Sequence, residues 1–523
     1  MEQAARSNQR DGSGEVFAVI EAVISRAEYG WGVRELADHL GASKSTISRT
    51  LGRLVDERLL SRDANGAYTV GPRLRVLSRT LHDHHPLFTQ GSRLLSQLSK
   101  DTGATALLAI ASHLPEECFV LISHEPDSPV RYTLRAGSRL PVHAGALGLA
   151  ILLRKGTSGL PERLSKYTEH SMDTRAEVEL ALESFAAMGA VVSLGQHIPD
   201  AAGVAAPFSL GERMIGSISL SRPRNEFDEA NITETADLLR HAAVELESAA
   251  RSAPREAVTP EKRDLPPATL IERISRLLTE LCVRPVTELG PGRLADVIGA
   301  GSVATRRLAD SATESGLMMQ VGPRSWIAGP SLMRWAAELG PQTTLSALID
   351  DELRDLAQQT GETVGLAVLD DETGAAHMAA THAGSDTGVR YVLEIGSQIP
   401  LHAGAAGKAI LAHLPAAVNS MDLEAFTERT ITDPVKLEAE LDQIRTRGWA
   451  IGDGERIPEA YGTAAPFFID GKVRGSLTIT VPRYRIQEAS PERLTKAVRA
   501  SAERVTKLLS TESSHESMLG SAA

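Results

Sequence analysis

The sequence repeats itself at a spacing close to 259 residues, so whatever fold one half adopts the other half must adopt as well. Arg131 to Leu152 reads RYTLRAGSRLPVHAGALGLAIL and Arg390 to Leu411 reads RYVLEIGSQIPLHAGAAGKAIL, identical at 14 of 22 positions. The same spacing aligns GQHIPDAAGVAAPF from Gly195 with GERIPEAYGTAAPF from Gly454, and Gly216 with Gly475. Nearer the N-terminus, LADHLGA from Leu36 matches LADVIGA from Leu294, one residue out of that register. Chance does not hold a register over such a length, and the chain is read as two tandem copies. Between them, Ser252 to Thr269 carries four prolines among mixed charges, the composition of a semi-extended linker.

A chain of 523 residues with 42% hydrophobic and 23% charged residues has the balance of globular domains, on the order of three to five of them. Apolar runs such as Ala106 to Ala111 end far short of the ~20 residues of a membrane helix, and no membrane association is expected. Met1 to Gly14 is polar and lacks the apolar centre of a secretory signal, which points to the cytoplasm. The net charge of −12 argues against indiscriminate coating of nucleic acid, yet leaves room for a small basic patch. Cys118 and Cys282 fall in different copies and form neither a disulfide framework nor a ligand cluster, so free thiols, no metal and no cofactor are expected.

In the first copy, Val16, Val19, Ile20, Val23 and Ile24 have the spacing of an amphipathic helix, and Val33 to Leu40 forms a shorter one. Gly41 to Ser43 makes a turn, with Ser43 placed to cap the next helix. In that helix, Ile47, Leu51, Leu54 and Val55 share the inward face, which leaves Lys44, Ser45, Thr46, Ser48, Arg49 and Arg53 outside. Hydroxyls and long cations near a helix N-terminus are the groups that reach phosphates and base edges in a major groove. Leu59-Leu60, a turn over Asp63 to Gly66, and Tyr68 to Val70 predict a two-stranded wing with Arg62 at its base.

VRELADHLGASKSTISRTLGRLVDERLL, followed by a turn and YTVGPRL, resembles the winged helix-turn-helix of the IclR family. The resemblance implies double-stranded operator DNA as partner and Ser43, Lys44, Ser45, Thr46, Ser48, Arg49, Arg53 and Arg62 as the contacting residues. In the second copy, Gly301, Ser302, Val303, Ala304 and Arg306 stand where Ser43, Lys44, Ser45, Thr46 and Ser48 stand, and only Arg307 keeps the role of Arg49. The second module is therefore read as degenerate, with Arg306 and Arg307 as its remaining DNA-facing cations; it either holds phosphate without reading bases or serves only in dimerisation.

After each wing, Arg73 to His82 and Ser331 to Leu339 are read as connecting helices, each followed by short β-rich runs alternating with helical stretches. The segments PVHAGALGLAIL and PLHAGAAGKAIL, and the later loops ending in AAPF, resemble the IclR effector-binding domain, a GAF-like antiparallel sheet with helices packed on it. That resemblance implies a pocket for a small metabolite, an organic acid or an aromatic. Its expected lining is His143, Ala144, Gly145, Gly203, Ser217 and Ser219 in copy one, with Ser221 sharing the face of the last two. In copy two the matching set is His402, Ala403, Gly404, Asp453, Glu455, Gly462, Ser476 and Thr478. The family commonly has a cysteine a few residues before AAP, where Gly203 and Gly462 stand, and Leu194 and Gln196 replace the acids Asp453 and Glu455. Either the two pockets differ in ligand preference or one of them is empty.

The expected class is α+β: winged helix-turn-helix domains and GAF-like α/β effector-binding domains with antiparallel sheets, duplicated in tandem. The expected boundaries are a disordered arm over 1–13, a first winged domain over 14–72, a linker helix over 73–90 and an effector domain over 91–251. A linker over 252–269 precedes a second winged domain at 270–330, a linker helix at 331–348, an effector domain at 349–511 and a disordered tail at 512–523. No P-loop, GxSxG elbow, HExxH or CxxC is present, and no nucleophile or carboxylate recurs beside His143 and His402 in both copies, so no enzyme is expected. The function expected is an effector-controlled, DNA-binding transcription regulator acting as a homo-oligomer; the alternative is a metabolite-sensing co-regulator or scaffold with DNA reading partly lost.

Overall fold

The computed structural model describes residues 12–27, 29–63, 65–128, 131–211, 213–252, 268–341, 344–370, 373–384, 393–414, 421–469 and 471–510. The expected tail, nearly all of the expected arm and most of the expected linker lie outside these residues. The chain divides into two compact units, 1–343 and 344–523.

In the first unit, α1 (Gly12–Ile24) buries Val16, Val19, Ile20 and Val23, as their spacing requires, and starts two residues inside the expected arm with Ser13 buried. Helix α2 (Val33–Leu40) stops at Gly41, whose φ of 63° is the left-handed conformation that ends a helix at little cost. Helix α3 (Lys44–Asp56) starts on Ser43, whose hydroxyl accepts the Thr46 amide, and buries Ile47, Leu51 and Leu54. Strands β1 (Leu60–Arg62) and β2 (Tyr68–Val70) pair antiparallel as the wing. Their turn is held by Asp63, whose Oδ1 accepts the amides of Asn65 and Ala67 at 2.9 and 2.8 Å. Gly71 closes the module because a Cβ there would lie 2.4 Å from the Arg58 carbonyl.

Helix α4 (Pro72–His84) leads into α5 (Pro86–Thr102), which is capped by the His85 ring: its Nδ1 accepts the Leu87 amide at 3.1 Å. Burial pushes the His85 pKa down to about 3. Below pH 6.5 the unfolded chain then takes up a proton that the folded chain refuses until about pH 3, so stability falls across that window at roughly 1.4 kcal/mol per pH unit. His85→Asn retains a capping acceptor and should flatten this slope, read as a smaller difference between urea midpoints at pH 4 and pH 7.

The six-stranded sheet that follows has the order β5-β4-β3-β8-β7-β6, antiparallel throughout. Its strands are β3 (Thr105–Ala111), β4 (Glu117–His124), β5 (Arg139–Pro141), β6 (Val191–Leu194), β7 (Ala201–Leu210) and β8 (Met214–Pro223). Side-chain alternation sorts its two faces. Leu108, Ile110, Phe119, Val204 and Ile218 pack under α5 and α8 (Ile232–Ser252). Leu107, Ala109, Val120 and Ala205 pack under α6 (Ala146–Lys155), with α7 (Arg175–Phe185) against α6.

The second winged module is complete: α9 (Leu270–Val283), α10 (Pro291–Ile298), α11 (Ser302–Glu314), and a wing of β9 (Met318–Gly322) and β10 (Ser325–Ala328). Thr269 and Glu272 start it with a reciprocal capping box. Its core accepts the smaller Thr305, Ala309 and Ala312, all buried. This module packs on the first one. Helices α9 and α12 (Pro330–Leu339) lie against α4, while α11 and α9 lie against α1, so both winged modules share one hydrophobic core. The joint has a polar centre: Glu21 accepts from Arg334 and Arg139 at 2.5 Å each and from the Trp335 indole at 2.6 Å.

The second unit repeats the sheet, in the order β13-β12-β11-β16-β15-β14. Its strands are β11 (Thr363–Leu369), β12 (Ala376–His382), β13 (Gln398–Ile399), β14 (Ala450–Asp453), β15 (Ala460–Ile469) and β16 (Lys472–Pro482). Helices α13 (Leu345–Thr360) and α16 (Pro491–Leu509) pack against this sheet and each other; α14 (Ala405–Leu411) also packs on it, with α15 (Pro434–Arg447) against α14. The architecture is α+β. Among the described residues, no helix is long and apolar enough to cross a membrane. Cys118 and Cys282 are both buried, and burial raises both thiol pKa values, that of Cys118 to about 12. A thiol-disulfide reagent at pH 8 should leave both untouched in the folded protein and titrate two thiols in denaturant.

Candidate nucleic-acid interface and effector cavities

Helix α3 presents Lys44, Ser45, Ser48, Arg49 and Arg53 to solvent, and its first turn holds no acidic residue. Ser43 and Thr46 also set the start of the helix. Their hydroxyls lie 2.8 Å apart and the Ser43 oxygen accepts the Thr46 amide, so the pair fixes the helix start. Arg62 is exposed on the wing, where its Nε donates to the Gly66 carbonyl at 3.4 Å and its guanidinium lies 5.7 Å from the Tyr68 ring. Among the described residues, Lys44, Arg49 and Arg53 pair with no carboxylate. The arrangement is a cationic, hydroxyl-bearing helix face beside a cationic wing.

The second helix of this kind, α11, is poorer. Gly301 caps it without a side chain, and Val303 is 67% exposed where Ser45 stands in the first module. Arg306 lies 3.8 Å from Asp310 one turn on, and Arg307 is exposed. The counterpart of Arg53 is Ser311, which is buried in a helix that packs against α1. Residue spacing carried no signal for that burial.

In the first effector domain a cavity of about 50 Å³ opens between the start of α6 and the ends of β6 to β8. Ala144, Gly145 and Gly203 line it, as does Ser221. Ser217 and Ser219 do not: Ser217 Oγ donates to the Leu147 carbonyl at 2.9 Å, and Ser219 is fully buried with no partner for its hydroxyl among the described residues. His143 does not line it either, because its Nε2 donates to the Ser165 carbonyl at 2.9 Å in a buried site. Sequence reasoning missed Gln196 and His197, which do line it. Among the described residues Gln196 Oε1 is buried without a partner, and desolvation, then the neighbouring His143, lowers the His197 pKa.

The matching cavity of the second unit is about 80 Å³, lined by Ala403, Gly404, Glu455, Gly462 and Thr478. His402 is again tied to a backbone carbonyl, that of Glu424 at 2.9 Å, and Ser476 donates to the Ala406 carbonyl at 3.0 Å. Asp453 points elsewhere, into ion pairs with Arg429 at 2.7 Å and Arg483 at 2.8 Å. Glu455 is itself engaged: Lys408 Nζ reaches it at 2.6 Å and the Gly404 amide at 2.9 Å. Lys408, where copy one has Leu149, is 1% exposed, and the Glu455 pair neutralises a cation that burial would otherwise make costly. Arg456, which stands in the repeat register where copy one has His197, also lines this cavity and donates to the Gln398 carbonyl at 3.3 Å. The two cavities thus differ in charge as well as size.

The IclR helix-turn-helix domain family matches residues 16–64 of this chain, and the bacterial transcriptional regulator IclR C-terminal family matches twice, at residues 79–248 and 342–507. The HTH-type transcriptional regulator BhcR of Paracoccus denitrificans is 30% identical over 227 residues, 42% of this chain and 76% of that protein. The transcriptional repressor IclR of Escherichia coli is 32% identical over 172 residues, 31% of this chain and 61% of its own. A crystal structure of a putative IclR transcriptional regulator from a Silicibacter species is 28% identical, covering 45% of this chain and 95% of its own, with a TM-score of 0.37. With one family model on the first recognition helix and a second repeated over most of the remaining chain, the protein belongs to the IclR family of bacterial transcriptional regulators.

Proposed function

We propose that this chain binds operator DNA sequence-specifically and that a small-molecule effector modulates the binding. The observation that carries the reading is the outer face of α3, where Lys44, Arg49 and Arg53 stand exposed beside Ser45 and Ser48 with no acid in the first turn. In a major groove, these cations would supply the salt-dependent phosphate attraction and the helix start would meet base edges. Ser43 and Thr46 position the helix, and Arg62 carries the wing to the flanking backbone. Arg306 and Arg307 would hold phosphate under α11 and read little.

The division of labour follows the two copies: a winged module over 14–72 and its effector domain over 91–251, then a winged module over 270–330 and its effector domain over 349–511. Packing of both winged modules within one unit supports a built-in pseudo-dimer. The effector is a small organic acid rather than an aromatic, since cavities of about 50 and 80 Å³ have room for few heavy atoms. The Gln196 amide and the Ser221 hydroxyl would orient it in the first cavity, and Thr478 and Arg456 in the second. Its binding would shift the poise of the winged modules. The protein would work in the cytoplasm, and chains would associate further through their first modules.

Selection of bound fragments from randomised DNA by the full-length protein, at one fixed salt concentration, tests the reading. Two unlike half-sites are expected if α3 and α11 of one chain dock together. Two like half-sites would mean that first modules pair across chains. No enrichment of any sequence would overturn the proposal.

A further inference from the structure

One cavity of the first unit, with two cations at its wall, belongs to neither effector site. A crevice of about 460 Å³ lies where the second winged module meets the first effector sheet. The wing side contributes Thr313 from the end of α11, Met318, Met319 and Gln320 from β9, and Pro330. The sheet side contributes Ser112 and His113 after β3, Met214 and Ile215 from the start of β8, Arg213 before it, and Lys155 from the end of α6. Its volume is in the range that holds a metabolite, and the joint between two domains is where such sites commonly form.

The polar groups around it are of two kinds. Thr313 donates to the Ala309 carbonyl at 2.8 Å, Gln320 to the Pro323 carbonyl at 3.1 Å, and Ser112 Oγ accepts the Leu114 amide at 3.1 Å. His113 Nδ1 meets the Ser331 hydroxyl at 3.2 Å and so joins the sheet to α12. Lys155 and Arg213 are the other kind: among the described residues, neither has a hydrogen-bond or ion-pair partner, and no acid lines the crevice. The remainder of the wall is apolar and deformable, with three methionines able to adapt to a planar or branched body.

We propose that this crevice is a further ligand site, separate from both effector cavities, which takes an organic anion with an apolar body, its carboxylate held by Lys155 and Arg213 and its body against Met214, Met318 and Met319. The ligand would clamp the second wing to the first effector sheet, with no need of DNA or of the effector cavities. Helix α6 links the sites, since Ala146 and Leu147 at its start line the effector cavity and Lys155 at its end lines the crevice, about 13 Å apart by helical rise.

Methyl spectra of the full-length protein labelled at methionine, assigned by single Met→Leu changes, test the site with three probes: benzoate, phthalate and inorganic phosphate. Benzoate or phthalate should shift the Met214, Met318 and Met319 methyls and leave the Met378 methyl, at the cavity of the second unit, in place. The double variant K155Q/R213Q, altered at two exposed positions, should keep the ligand-free spectrum and bind at least tenfold more weakly. Absence of these shifts with every probe would overturn the proposal, as would undiminished binding by the double variant. Phosphate acting as well as the aromatic acids would overturn the part assigned to the methionines.

Discussion

Glu21→Ala should cost the first unit about 3 kcal/mol, the scale of removing one partner from a buried ion pair. The carboxylate is shared by Arg334, Arg139 and the Trp335 indole, and the Arg334 side chain is only 3% exposed. Glu338, 2.5 Å from Arg334, remains and keeps the loss from being larger. Burial raises the Glu21 pKa, but Arg334, Trp335 and Arg139 together outweigh it and leave the pKa below the usual 4.5. A depressed carboxylate pKa stabilises fully above pH 4.5 and progressively less as pH falls through its folded value, so Glu21→Gln should lose this acid dependence while keeping an acceptor for Trp335. Urea midpoints at pH 7 and pH 4 measure both effects. An alanine variant as stable as the parent would mean that the cluster does not hold the winged modules together.

Removing Lys44, Arg49 and Arg53 together by alanine should weaken operator binding by at least ~3 kcal/mol, more than a hundredfold, at about 1 kcal/mol or more for each contact. Fluorescence anisotropy on a selected operator at several salt concentrations reads the loss. It should also lower the slope of log affinity against log salt by up to about three counterions. All three side chains are exposed and the core face of α3 is unchanged, so the fold should survive. The pair Arg306→Ala with Arg307→Ala should cost less, because Arg306 already faces Asp310 and the helix start carries Val303 instead of a hydroxyl. A second-module loss as great as the first would mean that α11 docks as deeply as α3.

Much of this was legible in the chain because the relevant forces are local. Val16 to Ile24 and Ile47 to Val55 announce their buried faces by spacing, Ser43 announces its cap, and Asp63 to Gly66 announces the wing turn. The repeated register predicted that the second sheet would copy the first. What was not legible depends on partners distant in sequence. His143 and His402 stand in identical motifs beside the cavities, yet carbonyls 22 residues downstream hold both rings in structural roles. Ser217 and Ser476 lie on the expected face, but each is used by a carbonyl at a helix start 70 residues back. Asp453 alternates correctly along β14 and is taken by Arg429 and Arg483. Gln196, His197 and Arg456 sit in loops, where no periodicity says which way a side chain turns.

Because both winged modules of the first unit lie on one chain, their pairing does not depend on how dilute the protein is; the connection between them replaces an encounter in solution. A symmetric dimer must also make every substitution twice, once on each face of its two-fold axis. This chain makes it once. Exchanging Val303 for serine, or restoring a hydroxyl at Gly301, would refit one side of the pair and leave Ser43 and Ser45 as they are. Once α11 is refitted to read bases, the specificity of such a protein could be tuned one half at a time, towards operators with no symmetry at all.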